Sequence, residues 1–424
     1  MASTNCPQTP AVSCCPLRGL PAKDFQFVSF RTPVVKLLIY SHAFAPQVGG
    51  VETFSMYLAR ELACFSPKEN SDRFIVTVVT KTAGIAGEVS SEVPFNVVRR
   101  PSPWSLWRLI GKMEQVLLAG PAILPLVFAL IRRKPVIVTH HGYQSICPNG
   151  MLFHFPTQRS CRGHFASRHY LECVKCNAAQ DTFAGSARLL ILTFVRRLCS
   201  RLADSNVAVS EHVRGRIALP KTLVICNGVP DPPPVCEVVR DRTGQPRSVC
   251  FAYIGRLVTE KGVPVLIDAA GILKKRDRVF RVFVIGDGPE RAALQAQACS
   301  LGLGQEVVFL GHLMGAQLDE AMTGVSALVM PSICEDAAPF SVLEQMMRGR
   351  LIIGSKLGGL AEEIGDSGLT FAAGNPLALA DEMERVIEQP ALIASLGQKA
   401  HERALHAYTL RRMVHEYRTL LSAG

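Results

Sequence analysis

The sequence predicts an α/β chain of two doubly wound parallel sheets, one after the other, facing across a cleft. Three observations predict it. Runs such as "VVKLLIYS" (34–41) and "RLIIGS" (350–355) have the unbroken hydrophobicity of strands buried on both faces. They alternate with stretches that repeat apolar residues at helical spacing, such as "ETFSMYLARELACF" (52–65) and "VPVLIDAAGILKK" (263–275). The alternation breaks at the proline-rich "VPDPPPVCEVVRDRTGQPR" (229–247) and then restarts. A chain of 424 residues is also too long for one ordinary core.

Taken in order, residues 1–33 contain no apolar core of signal-peptide length and read as a mobile tail. The first domain spans 34–228. Its further strands are "RFIVTVVT" (73–80), "PVIVTHHG" (135–142), "NVAVS" (206–210) and "TLVICNG" (222–228), with a helix at "ARLLILTFVRRLCSRL" (187–202). The apolar run "VLLAGPAILPLVFALI" (116–131) holds Pro121 and Pro125 and is short for a membrane span, so it reads as a buried helix. Residues 229–247 form the linker. The second domain, 248–407, alternates "VCFAYIG", "FRVFVIG", "EVVFLG", "ALVMPS" and "RLIIGS" with helices.

Composition bounds the function. Hydrophobic residues are 48% and charged residues 19%, a globular balance. The net charge of +11 suits an anionic partner, but the basic residues are scattered and aromatics are 7%, which argues against nucleic acid. The protein reads as cytoplasmic. The apolar, arginine-rich segments 104–134 and 187–202 hint at peripheral contact with a membrane surface, against the plainer reading of core with solvated edges.

In doubly wound sheets ligands bind outside the carboxyl ends of the strands, so the loops there are the candidate site. "APQVGGVE" sets Gly49 and Gly50 at a helix start, where backbone N–H groups attract phosphate; a tight turn would use the same pair. "YIGRLVTEKG" follows a strand with Arg256 and Lys261, two cations suited to a diphosphate. "VIGDGPE" offers Gly286 at a second strand–turn–helix, and "SKLGGLAEEIGD" offers Gly358 and Gly359. Glu362 and Glu363 read as first-turn acids that complement a helix dipole. His141, in "VTHHG", is placed to act on a proton or to bond a substrate hydroxyl. "SICEDAAPFSVLEQMMRG" (332–349) holds Glu335, Asp336 and Glu344.

Together and in this order, the motifs "PQVGGVE", "VTHHGY", "VICNGV", "YIGRLVTEKG", "VIGDGPE", "MPSICEDAAPFSVLEQMMRG" and "GSKLGGLAEEIGD" resemble the family 4 (group 1) glycosyltransferases, retaining enzymes with two Rossmann-like domains (the GT-B fold). The resemblance implies a transferase that moves a sugar from a nucleotide-sugar donor, a UDP or GDP sugar, to an acceptor hydroxyl. The acceptor is not legible. Arg256 and Lys261 would hold the diphosphate, Glu344 the ribose, Gly50 the donor phosphates and His141 the transferred sugar. Gly358 and Gly359 would close the phosphate pocket. No cofactor or metal would be essential. The closing "YTLRRMVHEYRTLL" resembles the family's last helix, so residues from about 408 to 424 should pack back on the first domain. The family's paired acids have seven residues between them, which fits Asp336, rather than Glu335, as partner of Glu344. Glu335 takes that place only if the loop bulges. A nucleotide-sugar epimerase of the same fold, or a binding scaffold without turnover, would carry the same loops.

Cys147, Cys161, Cys173 and Cys176 fall within 30 residues and end in C-x2-C, with His154, His164 and His169 nearby. The first gaps match no common zinc module. A structural zinc, a redox-sensitive disulfide and plain buried thiols are the readings, the last favoured. The insert would shape the acceptor side.

Overall fold

The computed structural model describes residues 34–47, 49–64, 73–84, 93–231 and 249–423. The expected tail and most of the expected linker lie outside the described residues. The rest forms two parallel sheets flanked by helices.

The seven strands of the first sheet run, edge to edge, Asn96–Arg99, Arg73–Thr80, Val34–Ser41, Gln115–Leu118, Val136–His140, Ser205–Ala208 and Thr222–Val224. The six of the second run Val307–Gly311, Phe280–Ile285, Val249–Ile254, Ala327–Met330, Leu351–Ser355 and Leu369–Phe371. All pairings in both sheets are parallel. Each sheet starts in the middle, winds one way for three strands and then the other, so each has a crevice where the order reverses. In the first sheet that point lies beyond Ser41 and Leu118. In the second it lies beyond Ile254 and Met330.

Burial explains the strand signals. Leu37, Leu38, Ile39 and Tyr40 are consecutive and all buried, as strands covered on both faces require. The helix Gly50–Cys64 buries Phe54, Leu58 and Leu62, four residues apart, on the first sheet. One expectation fails. The run 116–131 is not one helix: Gln115–Leu118 is a fully buried strand, the chain turns at Gly120 and Pro121, and the helix is Ile123–Ile131. A short buried strand and a buried helix share one composition, and only the break at Gly120–Pro121 separates them.

The last helix, Leu410–Ser422, lies on the first sheet. Gln115 Nε2 donates to Leu421 O at 2.6 Å, Tyr417 Oη is 3.3 Å from Thr139 Oγ1, and the Tyr417 ring packs on Phe54. Val229 and Leu410 exchange backbone bonds with Tyr408 and Val229 at the crossing.

Candidate functional site

The strand ends of the second domain lock together through glycines. Gly286, at φ 140°, sits so close to Gly255 that an added Cβ would lie 1.8 Å from its carbonyl oxygen. Gly262 ends the Thr259–Lys261 turn in a left-handed conformation against Pro331 O and opens the helix Val263–Lys275. Gly358 and Gly359 press on the acidic loop, and Gly359 N donates to Asp336 O at 2.6 Å. Three loops that are far apart in sequence thus meet around Asp336.

Asp336 is gripped from two sides. Lys261 Nζ lies 2.5 Å from Oδ1, and Ser332 Oγ donates to Oδ2 at 2.5 Å. Burial works against the Lys261 charge, but the Asp336 carboxylate outweighs it and holds the ammonium pKa above its usual value. The fixed cation therefore comes from the turn that opens the helix Val263–Lys275, whose N-terminus adds partial positive charge. Arg256 follows the strand Val249–Ile254 and is 69% exposed, and among the described residues its side chain makes one long contact, 3.9 Å to Glu260. Its side chain is available to a ligand.

Glu335 points elsewhere. It is 8% exposed, and its carboxylate meets three first-domain side chains. His212 Nε2 is at 2.7 Å and Ser160 Oγ at 3.0 Å; Arg216 Nη2 donates at 3.0 Å and Nε makes a close ion contact at 2.9 Å. Burial pushes the Glu335 pKa up, but His212, Arg216 and Ser160 together draw it below the usual range. The loop therefore splits its adjacent acids: Asp336 to Lys261, Glu335 to the other domain.

Glu344 sits in the helix Phe340–Met347, partly buried, its pKa raised by desolvation. The Tyr57 phenol of the first domain feels its charge, and the rings of Tyr57 and Phe340 meet at 6.4 Å. Phe340 is also what a Cβ on Gly50 would meet, at an ordinary 3.6 Å. The glycine turn of the first domain and the acidic helix of the second thus face each other. Gly49 is crowded by Glu52 of its own helix.

His141 packs on Phe54 at 4.3 Å, and its Nε2 is buried without a partner. Burial and the neighbouring His140 lower its pKa to about 3, so the ring is neutral. Burial likewise takes His140 to about 4, although Asn206 opposes this with a 2.9 Å bond to its Nε2. A neutral imidazole with a free nitrogen suits a hydrogen bond to a sugar hydroxyl better than charge stabilisation.

Several participants have no signature in the sequence. His212, Arg216, Ser160 and Ser332 are ordinary polar residues there. The Tyr143 hydroxyl, buried and unpartnered, lies within the fields of Glu335 and Asp336. Glu362 is not in the first turn of its helix. Its carboxylate accepts the Glu211 and His212 N–H groups across the cleft, at 2.9 and 2.8 Å. Glu363 is 2% exposed, both carboxylate oxygens lack partners, and burial raises its pKa well above the ordinary value. Ser210 Oγ and Asn227 Nδ2 donate to the Ala337 and Ala338 carbonyls.

The cysteine insert is a buried thiol cluster. Burial takes the pKa of Cys147 to about 11 and of Cys173 to about 12, so both stay protonated. Among the described residues no group of three or more His, Cys, Asp or Glu could hold a metal ion. The zinc reading therefore finds no preformed donor set, and all four cysteines are free. The insert instead supports the acidic loop: Ser160 binds Glu335, and Arg216 also donates to Cys161 O at 3.0 Å.

Comparison with known proteins bears on the second domain's sequence and on the fold. Residues 240–403 match the family model of group 1 glycosyl transferases. The chain is 32% identical over 163 residues to 2-deoxystreptamine glucosyltransferase of Streptomyces kanamyceticus, covering 38% of this chain and 42% of that one. It is also 32% identical over 163 residues to the D-rhamnosyltransferase WbpZ of Pseudomonas aeruginosa, covering 38% and 41%. The match thus spans less than half of those relatives' length. Among solved structures, sucrose-phosphate synthase of Thermosynechococcus elongatus aligns with TM-score 0.70 at 17% identity, over 92% of this chain and all of that one. Anabaena HepE in complex with UDP and glucose aligns with TM-score 0.67 at 16% identity, over 92% and 100%. Residues 240–403 are thus similar to the group 1 glycosyl transferases, and the chain as a whole has the two-domain GT-B fold.

Proposed function

We propose that the protein is a retaining glycosyltransferase that moves a hexose from a nucleoside-diphosphate sugar to an acceptor hydroxyl. The observation that carries this reading is the Lys261–Asp336 pair at a strand end, beside a helix N-terminus, inside the segment that matches the group 1 family. As the bond from the anomeric carbon to the diphosphate breaks, the electron pair leaves with the phosphate. Lys261, Arg256 and the positive end of the helix that starts at Val263 meet that growing charge. Glu344 binds the ribose hydroxyls, Gly50 lets the donor phosphates approach, and neutral His141 bonds a hydroxyl of the sugar. The acceptor oxygen attacks on the face the diphosphate leaves, and its proton passes to the departing diphosphate oxygen. That a structural neighbour was solved with UDP and glucose supports a uridine donor as the first trial.

In this reading the fixed cations perform the work of a divalent ion, so turnover survives a chelator. The test is release of nucleoside diphosphate from a panel of UDP and GDP sugars, with and without acceptor alcohols, in EDTA. Acceptor-dependent release supports the reading. Sugar-nucleotide isomerisation with donor alone would replace it with epimerisation.

A further inference from the structure

Three helices cover one face of the first sheet: Pro103–Lys112, Ile123–Ile131 and Phe183–Leu202. Their inner sides are ordinary core, with Leu106, Ile110, Leu126 and Cys199 packed on strand residues such as Leu38 and Val116. Their outer sides are not an ordinary solvated face. Trp104, Ile131, Ile191, Leu198 and Leu202 are between 59% and 64% exposed. On the longest helix Ile191, Leu198 and Leu202 share the solvent side, where charged residues are usual.

The charge on this face has one sign. None of the three helices contains an Asp or Glu. Arg108, Lys112, Arg132, Arg133, Arg188 and Arg201 are all exposed. Of the flanking acids, Glu114, Asp204 and Asp181 are engaged by the backbone N–H groups of Lys36, Val136 and Thr182, the last at the start of the longest helix. Arg108 stacks over Trp104 at 5.1 Å, and Arg132 over Trp107 at 4.0 Å, so cations and apolar rings form one surface.

We propose that this face docks the protein on an anionic lipid bilayer. Aliphatic and indole groups enter the boundary between headgroups and acyl chains while the arginines meet lipid phosphates. Charge complementarity selects this occupant. A second copy of the chain would set like charge against like. A nucleic acid would meet the cations and rings but leave the aliphatic Ile131, Ile191, Leu198 and Leu202 in water. Among the described residues no helix is long and apolar enough to cross a membrane, so contact stays at the surface.

The test is co-sedimentation of the full chain with vesicles of phosphatidylcholine alone or with about one-third phosphatidylglycerol, at low and high salt. Binding should require the anionic lipid and weaken with salt. Ile191→Ser with Leu198→Ser, and separately Arg188→Glu with Arg201→Glu, change only exposed positions. Each pair should release the protein, with roughly a fivefold loss of affinity for each arginine charge removed. The melting temperature should be unchanged. No sedimentation with anionic vesicles, equal binding to neutral ones, or undiminished binding by both pairs would overturn the proposal. So would concentration-dependent dimers, or binding of duplex DNA or RNA, lost in these variants while vesicles are not bound. The readout needs no turnover and stands apart from the proposed reaction.

Discussion

At the residue scale, two adjacent acids have different neighbours. Asp336 faces Lys261, and Glu335 faces His212, Arg216 and Ser160. Asp336→Asn removes the charge that fixes the ammonium, and donor turnover should fall about a hundredfold. Glu335→Gln leaves that pair intact and should stay within about tenfold of wild type. Steady-state turnover of the two variants decides it, and loss in Glu335→Gln alone would reverse the assignment. Glu363 makes a second prediction. Its folded pKa is raised above an unfolded value near 4.5. Below that pH both states hold the proton and the acid has no effect on pH dependence. As pH rises, the unfolded chain ionises while the buried acid does not, so stability falls. Glu363→Gln should melt progressively higher than wild type as pH rises above the unfolded value near 4.5. A constant difference above that pH would contradict the burial argument.

At the scale of elements, the glycine loops separate fit from function. An alanine Cβ at Gly359 would lie 1.8 Å from Ala337 O, a backbone atom that cannot yield. Gly359→Ala should lower the melting temperature and abolish turnover together. At Gly50 the same group meets Phe340 at an ordinary distance, so Gly50→Ala should fold as wild type yet lose turnover where the donor needs close approach. Thermal melts beside turnover assays distinguish the two. These loops were legible because apolar strand runs and glycine turns are local signals. Counting back from Glu344 singled out Asp336, but did not show that its carboxylate meets Lys261. The partners of Glu335 were not legible, because they lie 119 to 175 residues away and only the folded chain brings them together. Glu362 read as a dipole acid for the same reason: the N–H groups it accepts belong to a helix 150 residues earlier. Periodicity also failed at 116–131, where strand and helix are equally apolar.

For the whole molecule, two sheets with the same winding set their crevices opposite each other, and side chains hold them there. Glu335 and Glu362 reach into the first domain, Ser210 and Asn227 reach back, and the last helix returns to the first sheet. The central claim is that the second domain binds a nucleoside diphosphate through Lys261. The direct measurement is the thermal shift produced by UDP and GDP on wild type and on folded Lys261→Ala. Saturation at about a hundred times Kd adds roughly 2.7 kcal/mol to the native state, enough to raise the melting temperature clearly. Stabilisation of wild type by one of the diphosphates, and its loss in Lys261→Ala, is the predicted result. No shift in wild type with either nucleotide, or a full shift in Lys261→Ala, would contradict the account.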